Sequence, residues 1–255
     1  MILAIDVGNT NIVLGGIEDG KQVFSSRISS DRNKTEDQYA LDIQGILTMY
    51  RVRNEDIEGG IISSVVPYLQ TVIPKAVKRL LGIDLLVVGP GIRTGLNICM
   101  DNPATVGSDL IVAAVAARAK YKTPIAIIDM GTATTMSVIS GDGNYIGGVI
   151  IPGLWTSMNA LSAAAAQLPF IDLNGPAKLL GTNTIDCMRG GAVIGCAAML
   201  DGLIKRLEDQ LGDHVNAILT GGLSSLIAPY CEHEIHQEED LLIDGLKILY
   251  EKNKK

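Results

Sequence analysis

The sequence predicts an α/β protein assembled from two similar halves, on three observations. A short apolar run, Ile2 to Ile5, has the length and flanks of a buried strand and ends in Asp6-x-Gly8. The same pattern returns at Ile125 to Ile128, Asp129 and Gly131. At one constant offset of 123 residues, Asp6 pairs with Asp129, Gly8 with Gly131, Asp19 with Asp142 and Gly20 with Gly143. Four pairs in register, each in matching context, point to an internal duplication. Each half reads strand, Asp-x-Gly turn, strand, Asp-Gly hairpin, with helices and strands alternating around it. The boundary is expected near residues 116 to 123.

In the first half, Ile12 to Leu14 begins the second strand and Gln22 to Ile28 the third. Thr35 is placed to cap a helix through about Arg51, with Tyr39, Ile43, Ile46 and Leu47 at helical spacing. Gly60 to Val66 is another buried strand, followed by a helix over Tyr68 to Leu81 and a short strand over Leu85 to Val88. Residues 91 to 105 have neither period and read as a functional loop. Val106 to Lys120 is an alanine-rich helix with Gly107, Ser108 and Asp109 near its first turn. In the second half, Gly147-Gly148 leads into a strand that ends at Pro152-Gly153, and a helix follows from Trp155 to Ala166. Thr184 is placed to cap a long helix to about Leu211. Ala217 to Leu219 is a strand ending in Thr220-Gly221-Gly222, and Leu241 to Tyr250 is a last amphipathic helix.

Composition narrows the class. Hydrophobic residues make up 47% of the chain and charged residues 19%, enough for a sizeable core. A formal charge of −7 without a Lys/Arg stripe argues against nucleic acid as a partner. No run reaches the roughly 18 apolar residues of a membrane span. Met1 leads directly into a strand, so a soluble, cytoplasmic protein is expected. The four cysteines lack paired spacing and read as reduced thiols. Cys231, His233 and His236 match no common zinc spacing and read as a solvated loop.

Two Asp-x-Gly turns facing one cleft would suit a nucleotide polyphosphate and its metal ion. Turn N–H groups and hydroxyls would hold phosphates while the acids hold cations. Taken singly, each turn is equally well a plain hairpin. A kinase also needs a base to align the acceptor hydroxyl. Asp109 fits, because a helix N-terminus favours the ionised carboxylate; Asp101 is its rival, and a helix-stabilising acid is the alternative reading.

Six motifs together resemble those of type III pantothenate kinases, in order and spacing over almost the whole chain. They are Asp6-Val7-Gly8-Asn9-Thr10, Gly107-Ser108-Asp109, Asp129-Met130-Gly131-Thr132-Ala133-Thr134, Gly147-Gly148…Pro152-Gly153, Gly181-x-Asn183-Thr184 and Thr220-Gly221-Gly222-Leu223. The resemblance implies two tandem ribonuclease-H-like domains of the acetate/sugar kinase, heat-shock ATPase and actin superfamily, over residues 1–118 and 119–255. It implies a homodimer that uses ATP, a divalent cation (Mg2+) and a monovalent cation (K+ or NH4+) to phosphorylate the 4′-hydroxyl of pantothenate, the first step of coenzyme A synthesis. Carried over by position, Asp6, Val7, Gly8, Asn9, Thr10, Asn11, Ile12, Val13 and Thr132 would bind ATP. Asp109 would accept the proton, Asp129 would hold the monovalent cation, and Met100, Gly107, Ser108, Asp109, Leu110 and Thr184 would contact pantothenate.

Three positions depart from the family pattern. Leu110 stands where the motif continues with Arg, Met100 where the substrate loop usually has Tyr, and Arg189-Gly190 where Gln-Ser is typical. An arginine there would contribute on the order of 1.5–3 kcal/mol toward a carboxylate. Arg189 approaching the same site would be the compensation. A non-catalytic or regulatory paralogue and a kinase for a different acceptor are the alternatives these changes leave.

Overall fold

The computed structural model describes residues 1–254 and divides into two compact units. The units are not two contiguous stretches. The first takes Met1–Gly95, Asn102–Ala116 and the stretch from Asp240 onward, and the second takes Leu96–Asp101 and Ala117–Glu239. The last helix therefore belongs with the first unit, where the sequence alone suggests a simple division after residue 118.

The first unit is built on a five-stranded sheet of β1 (Ile2–Val7), β2 (Asn11–Glu18), β3 (Lys21–Ser29), β4 (Gly59–Ser64) and β5 (Leu85–Val87), in the order β3-β2-β1-β4-β5. The first three strands are antiparallel neighbours, and β4 and β5 join in parallel. Side chains on alternate positions of β1 face opposite ways. Leu3, Ile5 and Val7 share a buried cluster with Tyr39, Ile43 and Leu47 of α1 (Glu36–Met49) and with Leu69, Ile73 and Ala76 of α2 (Leu69–Leu81). Thr35 caps α1 as expected, in a reciprocal box with Gln38. α3 (Ser108–Lys120) follows the irregular 91–105 stretch.

The second unit repeats the plan. β6 (Ile125–Met130), β7 (Ala133–Ile139), β8 (Tyr145–Pro152), β9 (Asn216–Thr220) and β10 (Ile235–Gln237) lie in the order β8-β7-β6-β9-β10. Strand directions match those of the first sheet pair by pair. This is the duplication expected from the 123-residue echo, with β6 in the place of β1. α4 (Leu154–Ala164) and α5 (Thr184–Leu211) come between β8 and β9, followed by the single turn α6 (Ser224–Ile227). Ala126, Ile128 and Met130 of β6 cluster with Met188, Val193, Ala197 and Leu200 of α5.

With 28 residues and an 18-residue stretch of mean hydropathy 1.4, α5 is the one helix among the described residues long and apolar enough to cross a membrane. Its Val193, Ala197, Leu200 and Ile204 are fully buried inside the unit, the position of a core helix. Its cap is Asn183, whose side chain accepts the Asp186 N–H at 2.9 Å, so Thr184 is the first helical residue and not the cap. α7 (Leu241–Asn253) returns to the first sheet. Gly245 lets it approach α3 so closely that a Cβ would collide with the Val112 carbonyl.

Candidate active site

In the first unit, β1 delivers Asp6 to its C-terminal end, where only 6% of the residue is exposed. The turn that follows closes by a Gly8 N–H bond to the Asn11 carbonyl at 2.9 Å. Asn9, Thr10 and Asn11 stand exposed on it. β3 braces the turn: Ser30 N–H donates to the Thr10 carbonyl, and Arg32 donates to the Asn9 amide oxygen at 3.1 Å. Val7 and Ile12 behind it are buried, so these two serve as anchors for the exposed atoms.

Sheet register sets Asp6 beside Ser63 and Val7 beside Ser64. The Ser63 hydroxyl donates to Ser108 Oγ at 3.0 Å, and the Ser108 hydroxyl donates to the Ser64 carbonyl at 3.2 Å. Ser108 thereby ties the start of α3 to the strand that flanks Asp6. The Gly107 to Leu110 segment and the Asp6 turn thus belong to one hydrogen-bonded arrangement inside the first unit. Asp109 is half-buried there, its Oδ1 accepting the Leu110 N–H at 2.8 Å. Burial pushes its carboxyl above the ordinary carboxylate value, and the backbone N–H bonds of the helix start only partly offset this. The helix terminus therefore does not dominate, as the sequence had suggested, because desolvation is the larger effect. A carboxylate raised in this way is a stronger base.

The second unit holds the echo. The Gly131 N–H bonds to the Ala133 carbonyl at 3.1 Å, closing the turn after Asp129. Asp129, half-buried at the end of β6, pairs across to Thr220 on β9, as Asp6 pairs with Ser63. Gly221, at φ +93°, packs so tightly on Asp129 and Met130 that no side chain fits. Thr132 is exposed, and its carbonyl accepts both the Gly153 N–H at 3.1 Å and the Thr156 hydroxyl at 2.8 Å. A Cβ on Gly153 would collide with the Gly131 and Thr132 carbonyls, so the start of α4 holds this turn in place.

Met100, 36% exposed, lies against β8, where a Cβ on Gly147 would sit 3.6 Å from its sulfur. Thr184 is exposed at the first turn of α5. Arg189, the expected substitute for the missing arginine, is engaged within the second unit. It donates to Asp186 Oδ1 at 3.2 Å and to the Asp172 carbonyl at 3.3 Å and 3.4 Å. The predicted residues therefore fall into two groups, Asp6 to Val13 with Gly107 to Leu110, and Asp129 and Thr132 with Met100 and Thr184. Sequence reasoning passed over Ser63 and Ser64. Thr220, the counterpart of Ser63, follows it by 157 residues and not 123, so a constant-offset search does not pair them.

A family model described as type III pantothenate kinase matches residues 2–206. The chain belongs to the type III pantothenate kinase family. Curated members align along their full lengths. Those named type III pantothenate kinase from Exiguobacterium sp. and Citrifermentans bemidjiense are 43% and 41% identical, each over 100% of both chains. Solved structures agree on the fold. Component A of (R)-2-hydroxyglutaryl-CoA dehydratase from Acidaminococcus fermentans superposes with a TM-score of 0.59 at 16% identity, over 98% of this chain and 96% of that one. A protein assigned as a 2-dehydro-3-deoxygalactonokinase from Sinorhizobium meliloti gives 0.60 at 13% identity, over 98% of both chains. Two tandem ribonuclease-H-like domains are thus the fold of this family member.

Proposed function

We propose that this chain transfers the γ-phosphoryl group of ATP to the 4′-hydroxyl of pantothenate, giving 4′-phosphopantothenate for coenzyme A synthesis. The observation that carries the reading is full-length family membership combined with an intact pair of braced Asp turns. The Asp6 to Val13 turn presents a carboxylate, an amide, a hydroxyl and backbone donors, the set that orients phosphate oxygens. Thr132 adds a hydroxyl from a turn locked by Gly153 and Thr156. Asp6 also fits as a hard oxygen ligand for a divalent ion or its waters, and Asp129 as one for potassium or ammonium. A divalent ion, when bound, neutralises charge on the phosphates.

Asp109 accepts the hydroxyl proton as the new oxygen–phosphorus bond forms, and the Ser63–Ser108–Ser64 bonds keep it positioned for that step. Gly107, Ser108 and Leu110 line the same end of α3, with Met100 and Thr184 as the remaining pantothenate contacts. Leu110 favours a second reading, a kinase for a less anionic acceptor, because Arg189 is occupied by Asp186 and Asp172. A homodimer is supported by an apolar face on the second unit. Trp155 and Leu161 of α4 are 41% and 43% exposed, and Leu161 lines an apolar cavity of ≈ 530 Å³ with Ile151 and Met199. Four free cysteines and the absence of a basic stripe fit a cytoplasmic small-molecule enzyme. A coupled ADP-release assay decides the acceptor. Turnover that depends on pantothenate supports the first reading, and none at millimolar pantothenate defeats it.

A further inference from the structure

At the end of β9 remote from Thr220, three ligating side chains from separate parts of the second unit converge. Glu208 comes from the last turn of α5, His214 from the loop that enters β9, and His233 from the loop that enters the parallel strand β10. One ligand atom from each lies within 4.8 Å of the others. His214 Nδ1 is 2.7 Å from Glu208 Oε1, and His233 Nε2 is 3.9 Å from the same oxygen. His233 Nε2 is buried and has no hydrogen-bond partner among the described residues. A buried imidazole nitrogen aimed at a carboxylate without a bond to it has an unmet need.

The surroundings fix the three groups. Asp201 accepts the backbone N–H groups of Glu232 and His233 at 2.9 and 3.1 Å, which sets the turn that carries the imidazole. Glu208 also accepts the Val215 N–H at 3.1 Å. The other two ligand types nearby are excluded. The Cys231 thiol is turned away, donating to the Ile227 carbonyl at 3.7 Å. His236 stacks on Tyr121, with ring centroids 4.9 Å apart.

We propose that Glu208, His214 and His233 form a binding site for a first-row divalent transition ion of the zinc class. Two imidazoles and one carboxylate are the donor set such ions take, with a fourth position left to water. Around one tetrahedral ion with bonds of about 2.0–2.2 Å the ligand atoms lie about 3.4 Å apart, so the 2.7 Å His214–Glu208 contact opens and the 3.9 Å His233–Glu208 separation closes by small side-chain shifts. The ion links the end of α5 to the entries of β9 and β10. Its distance from Thr220, the five-residue length of β9 or about 17 Å, makes it separate from the Asp129 turn. The role is structural, fastening an edge strand of only three residues.

The test uses the full-length protein, freed of metal by chelation and kept reduced, titrated with Zn2+ alone by calorimetry and with Co2+ by visible absorption. The expected result is one ion per chain, a four-coordinate Co2+ spectrum and a higher Tm with Zn2+. Loss of a direct ligand exceeds the loss of an outer contact, so His233→Ala and Glu208→Gln each weaken binding by more than about tenfold. His214→Ala, at an exposed side chain, gives the same loss without a folding penalty, which circular dichroism verifies. No stoichiometric binding, or zinc bound equally well by His233→Ala and His214→Ala through the cysteines, overturns the proposal.

Discussion

The Ser63 hydroxyl donates to Ser108 Oγ at 3.0 Å, joining the strand that flanks Asp6 to the helix that begins at Asp109. Ser63 is fully buried, so this contact is shielded from competing water. It couples the Asp6 turn to the start of α3 through two small side chains.

Ser108→Ala removes one donor and one acceptor and leaves the Ser63 hydroxyl buried, at a cost of about 1–3 kcal/mol. The expected outcome is a lower Tm and a kcat that falls more than the KM for ATP. In a double-mutant cycle, Ser63→Ala and Ser108→Ala together cost less than the sum of the single changes. Additive losses in thermal unfolding would show that the contact is not formed.

Asp109 is raised above the ordinary carboxylate value by burial, which sets the sign of two pH effects. As a base it must be ionised, so kcat/KM falls as pH drops through its raised value. For stability, the folded state holds this proton more tightly than the unfolded chain. The stabilising contribution is therefore present below the unfolded value and is lost as pH rises through the folded one. At neutral pH, Asp109→Asn consequently matches or exceeds the wild-type Tm while losing about 10²–10⁴-fold in kcat. A Tm well below wild type contradicts the burial argument.

Gly153→Ala places a methyl group against the carbonyls of Gly131 and Thr132. Relief of that overlap costs about 1–3 kcal/mol and shifts the turn that carries Thr132. Steady-state kinetics should show a raised KM for ATP with the pantothenate KM little changed. Unaltered ATP kinetics would remove Thr132 from the nucleotide site.

Leu110→Arg restores the family residue at the start of α3. A charge-assisted contact of on the order of 1.5–3 kcal/mol corresponds to roughly a ten- to hundredfold lower pantothenate KM. Pantothenate titrations of the variant and the parent chain measure this directly, and an unchanged KM would remove Leu110 from the acceptor pocket.

Local signals made most of the fold legible. The runs Ile2 to Ile5 and Ile125 to Ile128 became the central strands of two like sheets, because a buried parallel-neighboured strand reads as a continuous apolar segment. Thr35 and Gln38 formed the capping box their spacing encodes. Non-local features were not legible. The three-residue strand Ile235–Gln237 carries too few residues for a period, and the loop reading of Cys231, His233 and His236 gave no hint of it. The return of Leu241–Asn253 to the first unit depends on Gly15 and Gly245 admitting close contact, which no pattern within that helix reveals. In the site, the Asp turns were visible because they repeat. Ser63 was not, nor was its bond to the expected Ser108, since that partnership spans 45 residues and depends on register.

The central claim is that Asp109 serves a phosphoryl transfer from ATP to pantothenate. Mass spectrometry of a reaction with ATP, Mg2+, K+ and pantothenate tests it most directly, run in parallel with Asp109→Asn. The account predicts 4′-phosphopantothenate in step with ADP for the parent chain, and at least about a hundredfold slower formation of both by a folded Asp109→Asn protein that still binds ATP. ADP without phosphopantothenate, or equal product from Asp109→Asn, would contradict it.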